Sequence, residues 1–359
     1  MQGKVTKKRN ANIELLRLIT MFMVIMLHAL GKGDLLTSIS ESGSVNAVIA
    51  WLTEVLCISA VNVFMLISGY FLINSEFKIG RLIELVLQCL FYSAGSFAVC
   101  ILFNINTNEE INTYYILRNF FPIHMDVFWF VTSYIVIYML LPLISAGVKA
   151  IGKKQFRLML IVLVIYESLF KSFLPVRFEE DEFGYNFLWF LIVFLIGAYF
   201  KLYGFERIKK PSQGFILYGS ASALTFAEVL IIDLIHTKTG HLSEILNVAT
   251  EYNQIWVLLS AIGLFTAFIN MKEHDGKTSK VICSLSPMAL GIYLFHESLS
   301  FRYNWQKWLG IYDTLSLPTG IFICKLFSAA IVIFVFGLII DFVRIKFFSM
   351  FKMIWKKRR

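Results

Sequence analysis

Residues 12–31 read NIELLRLITMFMVIMLHALG, an apolar run that carries Glu14, Arg17 and His28. A helix crossing the hydrocarbon core of a bilayer takes about 20 predominantly apolar residues, and this run has that length. Lys7-Lys8-Arg9 precedes it in the manner of a signal peptide. The charges inside the run, with no small-x-small cleavage pattern after it, predict a first span that is kept. At about 100° per residue, Asn10, Glu14, Arg17 and His28 share an arc of about 60° on one face. Glu14 and Arg17 are spaced to pair on that face, and His28 stands about 21 Å beyond Glu14 along the axis. An ionised group at mid-bilayer costs about 2.5–3.5 kcal/mol, whereas one Leu returns about 0.3–0.6 kcal/mol. Residues kept at that cost face a cavity or a partner. The stripe is therefore either polar glue between helices or a path joining the two membrane faces.

The rest of the chain repeats the pattern. Of its 359 residues 58% are hydrophobic and 16% charged, against about 45–50% apolar and about 25% charged in soluble domains. Apolar runs at 12–31, 45–73, 80–103, 126–146, 155–174, 184–203, 213–235, 252–271, 285–301 and 315–347 predict an all-α polytopic membrane protein with about ten transmembrane helices. The runs are long and continuous rather than alternating with period two, which favours helices over a barrel. A membrane domain over 12–347 is flanked by basic tails at 1–11 and 348–359. No room remains for a soluble catalytic domain, and a short amphipathic helix is expected in the loop around 104–125. No internal repeat is visible, which weighs against a transporter built from duplicated halves.

The net charge of +9 is topological. With these spans, 24 of the 33 Lys and Arg residues fall on one side and seven on the other, with Arg17 and Lys325 inside spans. Positive charge collects on the cytoplasmic face, so both termini are expected there, in a multi-pass protein of a cell membrane, that of a bacterium. Lys356-Lys357-Arg358-Arg359 suits anionic lipid headgroups, and nothing calls for a nucleic-acid partner. Cys57, Cys89, Cys100, Cys283 and Cys324 have no metal or redox spacing and read as small core residues.

Function is sought among polar residues that spans should not hold. His28 offers an imidazole that takes and returns a proton near neutral pH, or that carries an acyl group as a nucleophile. Span two holds Asn62, then Ser68-Gly69-Tyr70, where Ser and Gly let helices approach closely. Lys78 and Arg81 form a cationic pair suited to phosphate, or a plain topology signal. Span nine opens with Ser286-Pro287 and reads Tyr293-Leu294-Phe295-His296-Glu297. His296 lies about 14 Å past Pro287, towards the level of His28. Trp129 sits at the outer start of span four, where an aromatic belt is the plain reading. Glu54, Glu84, Glu167, Glu228 and Lys325 are candidates for interhelical pairs. His236 and His241 lack the accompanying ligands of a metal site, so no metal is expected.

These residues together resemble the integral-membrane acyltransferase type 3 family. Arg9-Asn10, Glu14-Leu15-Leu16-Arg17 and His28 are similar to its first-helix pattern of acidic residue, Leu, Arg and later His. Asn62-Val63-Phe64 with Ser68-Gly69-Tyr70 resembles its "FF-x-x-SG-F/Y" element. Lys78-x-x-Arg81 stands at its R-x-x-R pair, with Lys in place of the first Arg and without that residue's bidentate geometry. Trp129-Phe130 and Ile292-Tyr293-Leu294-Phe295-His296-Glu297 resemble its "W-F/Y-L" and "IYL-x-H" elements. The resemblance implies an O-acyltransferase with no permanently bound cofactor, using acyl-CoA, usually acetyl-CoA, as donor substrate. The acceptor would be a hydroxyl of a cell-envelope glycan, exopolysaccharide or lipid-linked sugar. By the same resemblance His28 is catalytic, Glu14 and Arg17 organise the conduit, and Lys78 and Arg81 bind the donor's phosphates. Asn10, Asn62, Ser68, Tyr70, Trp129, Tyr293, His296 and Glu297 are the expected cavity and substrate residues. Some members add an extracellular hydrolase-like domain; without one, direct transfer is expected.

Two rivals remain on sequence grounds. A transporter or flippase for a lipid-linked sugar would also want a polar path, but not acyl-CoA. A polysaccharide polymerase would want external loops with catalytic carboxylates, and the one dense acidic run, Glu179-Glu180-Asp181-Glu182, reads as a solvated loop.

Overall fold

The computed structural model describes residues 9–107, 109–173, 182–240, 248–273 and 275–357, the stretch 351–357 by its backbone alone. Glu179 to Asp181, Arg177, His241, Lys4, Lys7, Lys8, Arg358 and Arg359 lie outside the described residues, and so does the test of what was expected of them. Among the described residues every regular element is helical.

The first helix, Ala11–Gly31, matches the expected run 12–31 to within a residue. Asn10 takes an extended backbone, and its side-chain oxygen accepts the N–H groups of Asn12 and Ile13 at 3.0 and 3.1 Å, which satisfies two donors that every helix start leaves open. Ile13, Leu16, Ile25, Ala29 and Leu30 are wholly buried. The helix is the central staff of the molecule, packed by Val45–Cys57, Ala60–Leu72, Ile255–Ile269, Ala289–His296 and the long last helix Thr319–Lys357. Ile79–Leu102 and the last helix instead turn rows of Leu, Ile, Val and Phe outward, as lipid-facing helices do.

Among the described residues eight segments are long and apolar enough to cross a membrane: Ala11–Gly31, Val45–Leu72, Ile79–Leu102, Trp129–Phe173, Pro211–Thr239, Val248–Ile269, Lys277–His296 and Thr319–Met350. The difference from ten has two sources. The expected spans 126–146 and 155–174 lie in one 45-residue segment, Trp129–Phe173, interrupted by Gly152 at φ 71°, ψ 171°, a backbone that residues with a Cβ rarely take. The expected span 184–203 shortens to Phe187–Tyr203, because Asn186 caps it late by accepting the Trp189 N–H at 2.8 Å. The ninth expected span also stops early, at His296 rather than 301, and the chain turns through Glu297 to Tyr303. The loop helix expected near 104–125 is Thr113–Phe120, capped by Asn112.

Close packing rests on small residues. A Cβ at Gly69 would stand 1.9 Å from the Phe194 carbonyl oxygen, and one at Gly197 would stand 2.2 Å from that of Leu66. Ala60–Leu72 and Phe187–Tyr203 therefore touch backbone to backbone, the packing role expected of Gly69. Two buried ion pairs stand out: Arg344 Nε donates to Asp341 Oδ1 at 2.7 Å, and Lys171 Nζ meets Glu251 Oε2 at 2.5 Å. Sequence counting placed Arg344 and Lys171 among flanking cations, whereas both side chains are buried. Lys325 reaches a backbone partner, the Gly310 carbonyl oxygen at 3.4 Å, rather than a carboxylate.

Candidate active site

Four helices lend one stripe each to a cavity of about 330 Å³. From the first helix come Arg17, Met21, Val24 and His28; from the second segment Val61, Phe64 and Ser68; from Ile79–Leu102 come Arg81, Glu84, Leu85 and Gln88; and from Lys277–His296 come Ser286, Leu290 and Tyr293. These are spacings of three and four, the signature of one helix face. Trp129, Phe130 and Tyr134 from the start of Trp129–Phe173, with Tyr252, add the rest of its aromatic lining.

His28 places an imidazole on the cavity wall, and its orientation is fixed from behind. His296 Nδ1 lies 2.7 Å from the Ile292 carbonyl oxygen. A carbonyl only accepts, so that nitrogen carries the hydrogen and leaves His296 Nε2 as an acceptor. His28 Nδ1, 2.9 Å from His296 Nε2 and 3.2 Å from Glu297 Oε1, is then the donor. Its proton placed there, His28 keeps Nε2 as a free lone pair, held by no hydrogen bond among the described residues. His296 is fully buried, and Glu297 is 6% exposed. The carboxylate also forms an ion pair with Lys32, and Arg302 Nε stands 4.0 Å from its second oxygen. Arg302 itself is anchored on the Glu297 and Val127 carbonyl oxygens.

Ligand atoms of His28, His296 and Glu297 lie within 4.8 Å of one another, a grouping that could collect a cation. The donor set argues otherwise. The Lys32 ammonium sits on the same Glu297 oxygen that faces His28, so it already supplies the positive charge, and a metal there would meet Lys32 and Arg302 as like charges.

At the other end of the stripe the cavity is cationic. Arg9, Arg17 and Arg81 all line it. Glu14 is held chiefly by Arg9, with Nε to Oε1 at 2.9 Å and Nη2 to Oε2 at 2.6 Å. Ser286 also donates to Glu14, and Arg9 donates to Ser286 at 3.0 Å and to the Cys283 carbonyl oxygen at 2.8 Å. The expected Glu14–Arg17 pair exists but is loose, at 3.7 Å. Arg17 Nε is buried and has no hydrogen bond among the described residues.

Of the expected residues, Arg17, His28, Ser68, Arg81, Trp129 and Tyr293 line the cavity. His296 and Glu297 stand behind His28, and Glu14 stands behind the arginines. Asn10, Asn62, Tyr70 and Lys78 lie elsewhere. Asn10 is spent on its cap and donates to Glu273 at 2.6 Å. Asn62 donates to the Tyr252 carbonyl oxygen at 2.8 Å and accepts the Trp189 indole N–H at 3.0 Å. Tyr70 packs on Phe265 beneath Lys201, whose Nζ is 4.6 Å from the ring centre. Lys78 is exposed, and its backbone N–H donates to the Tyr138 hydroxyl at 3.0 Å. Sequence reasoning missed Arg9 as a lining residue, Tyr252, Lys32 and Arg302. For Lys32 a signal existed, since it falls four residues after His28 on the same face.

The fold, with its long apolar helices around an internal cavity, defines a multi-pass membrane protein. The chain belongs to the Acyl_transf_3 family: the family profile, described as an acyltransferase domain, matches residues 10–340, nearly the whole chain. It is thus a membrane acyltransferase, as its motifs suggested. Comparison with curated proteins and with solved structures found no match.

Proposed function

We propose that this acyltransferase moves an acetyl group from cytoplasmic acetyl-CoA to a hydroxyl of a cell-envelope glycan, acting in the plasma membrane of a bacterium. The observation that carries the reading is His28: it lines the cavity, while its Nδ1 is committed to buried partners and Nε2 is left basic. A base oriented through its second nitrogen is the arrangement of hydrolytic triads. Here Nε2 takes the proton of the sugar hydroxyl as its oxygen attacks the thioester carbonyl carbon. The tetrahedral adduct then collapses, the C–S bond breaks, and the leaving thiolate receives the proton from His28. The products are the O-acetyl ester and free CoA. Glu297, balanced by Lys32 and Arg302, is suited to stabilise the transient imidazolium. The adduct's oxyanion needs a donor; the buried Tyr293 hydroxyl has no hydrogen-bond partner among the described residues and belongs to a cavity-lining residue.

Arg9, Arg17 and Arg81 are suited to the donor's phosphates, guanidinium groups being the natural forks for them. Lys78, exposed and off the cavity wall, is not needed for this role. A cavity of about 330 Å³ suits the slender pantetheine arm, with the nucleotide left at the arginine end. Replacing His28 with Ala tests the reading. Acetyl transfer from labelled acetyl-CoA to membrane glycan is expected to fall by about 10²–10⁴-fold, the usual worth of a general base, with membrane expression unchanged. Full transfer by His28→Ala would reject it, and transport of a lipid-linked sugar without acetyl-CoA would favour the flippase.

A further inference from the structure

The arginines mark only one end of the cavity. Tyr134 lies within electrostatic reach of both Arg17 and Arg81, and Trp129 precedes it by about one and a half helical turns, on the His28 side. There the rings of Trp129, Tyr185 and Tyr252 gather. Trp129 is 4.4 Å from Tyr185 and 5.7 Å from Tyr252 between ring centres, the latter pair stacked at 22°, and Tyr185 is 4.6 Å from Tyr252. Trp129 and Tyr252 line the cavity, while Tyr185 is 43% exposed, so the group runs from the cavity wall to the surface.

The backbone that carries Tyr252 is unusually well fixed. Its carbonyl oxygen accepts from Asn62 at 2.8 Å and its N–H donates to the Phe183 carbonyl oxygen at 3.2 Å. On either side, Lys171 holds Glu251 at 2.5 Å and Asn253 at 3.0 Å. Asn62, Lys171, Glu251 and Asn253 are all buried. Polar groups are costly within a membrane bundle, and here they converge on a three-residue segment whose middle member faces the cavity. Rings that merely fill space between helices do not need such support, whereas a binding platform does.

We infer that Trp129, Tyr185 and Tyr252 form the acceptor subsite, a platform on which the C–H face of a pyranose ring stacks. The inference rests on the acyltransfer reading and adds the sugar's place in it. Aromatic faces suit sugars because a pyranose presents axial C–H groups on one side and hydroxyls around its edge. The platform brings that edge to His28, while the donor enters from the arginines.

The test uses the protein in lipid nanodiscs with labelled acetyl-CoA and glycan isolated from cells lacking the gene, supplied once as water-soluble chains and once as the lipid-linked fraction. Trp129→Ala and Tyr185→Ala are expected to raise the acceptor KM about tenfold, the usual worth of an aromatic contact, leaving the KM for acetyl-CoA unchanged. Trp129→Phe, which keeps a ring in place, retains most of the acceptor affinity and separates stacking from folding. The fraction on which the shift appears identifies the carrier of the sugar. An unchanged acceptor KM in both Ala variants, with His28→Ala inactive, overturns the platform and leaves the acyltransfer reading standing. No acetyl ester from the unaltered protein with either fraction overturns both.

Discussion

In the proposed reaction His296 acts only through His28. Because it donates to the Ile292 carbonyl oxygen, it accepts from His28 Nδ1 and so keeps the free lone pair on Nε2. His296→Leu removes that acceptor while Glu297 remains. The expected result is a kcat lowered by 10²-fold or more, towards the range lost when the orienting partner of a catalytic His is removed, with KM for acetyl-CoA little changed. Steady-state kinetics in nanodiscs check it; an unchanged kcat would show that His28 needs no partner there. Glu297 carries a second, structural consequence. Glu297→Gln leaves the Lys32 ammonium, 19% exposed at its side chain, without its counter-charge. Breaking a buried pair from one side costs about 3–5 kcal/mol. Thermal melting should therefore fall for Glu297→Gln and recover in part for the double variant Lys32→Met/Glu297→Gln.

Helices explain which polar residues reach the cavity. The stripe of Glu14, Arg17 and His28 was legible because a rigid 3.6-residue period carries a face across the whole helix. Its pairing was not, since Ser286, which donates to Glu14 and accepts from Arg9, is brought there by a helix far away in the chain. In Ala60–Leu72 the wall is Val61, Phe64 and Ser68; Tyr70 lies about 200° from Ser68 and Asn62 about 100° from Val61, so both fall off the face. Lys78 and Arg81 look like neighbours by spacing, but Lys78 is the cap residue at φ −134°, ψ 110°, where helical spacing no longer applies. Arg81→Ala is thus expected to raise the KM for acetyl-CoA by about ten- to a hundredfold, the worth of a charge-assisted hydrogen bond, and Lys78→Ala to leave it near its original value. Equal effects would return Lys78 to the donor site. At the Gly69 contact, Gly69→Val should lower the melting temperature, since overpacking costs about 1–3 kcal/mol and the obstacle is the Phe194 backbone. An unchanged melting temperature would contradict that close approach.

Across the whole molecule the hydrophobic runs located the helices well, because apolar length is a physical requirement of the bilayer. Their number was less legible: whether 126–174 is one segment or two turns on the backbone of Gly152, which composition does not report. The cavity could not be read from composition at all, since four stripes and Tyr252 meet only through packing. Its charge is asymmetric, with guanidinium groups towards the start of the first helix and an imidazole backed by a balanced carboxylate about 16 Å further on. In the proposed reaction that asymmetry lets donor and acceptor meet at His28 from opposite ends. Inside-out membrane vesicles given labelled acetyl-CoA on the outside test it most directly. The account expects acetyl ester on glycan enclosed within vesicles carrying the unaltered protein, and none above background with His28→Ala at equal expression. Undiminished labelling of the enclosed glycan by His28→Ala would contradict it.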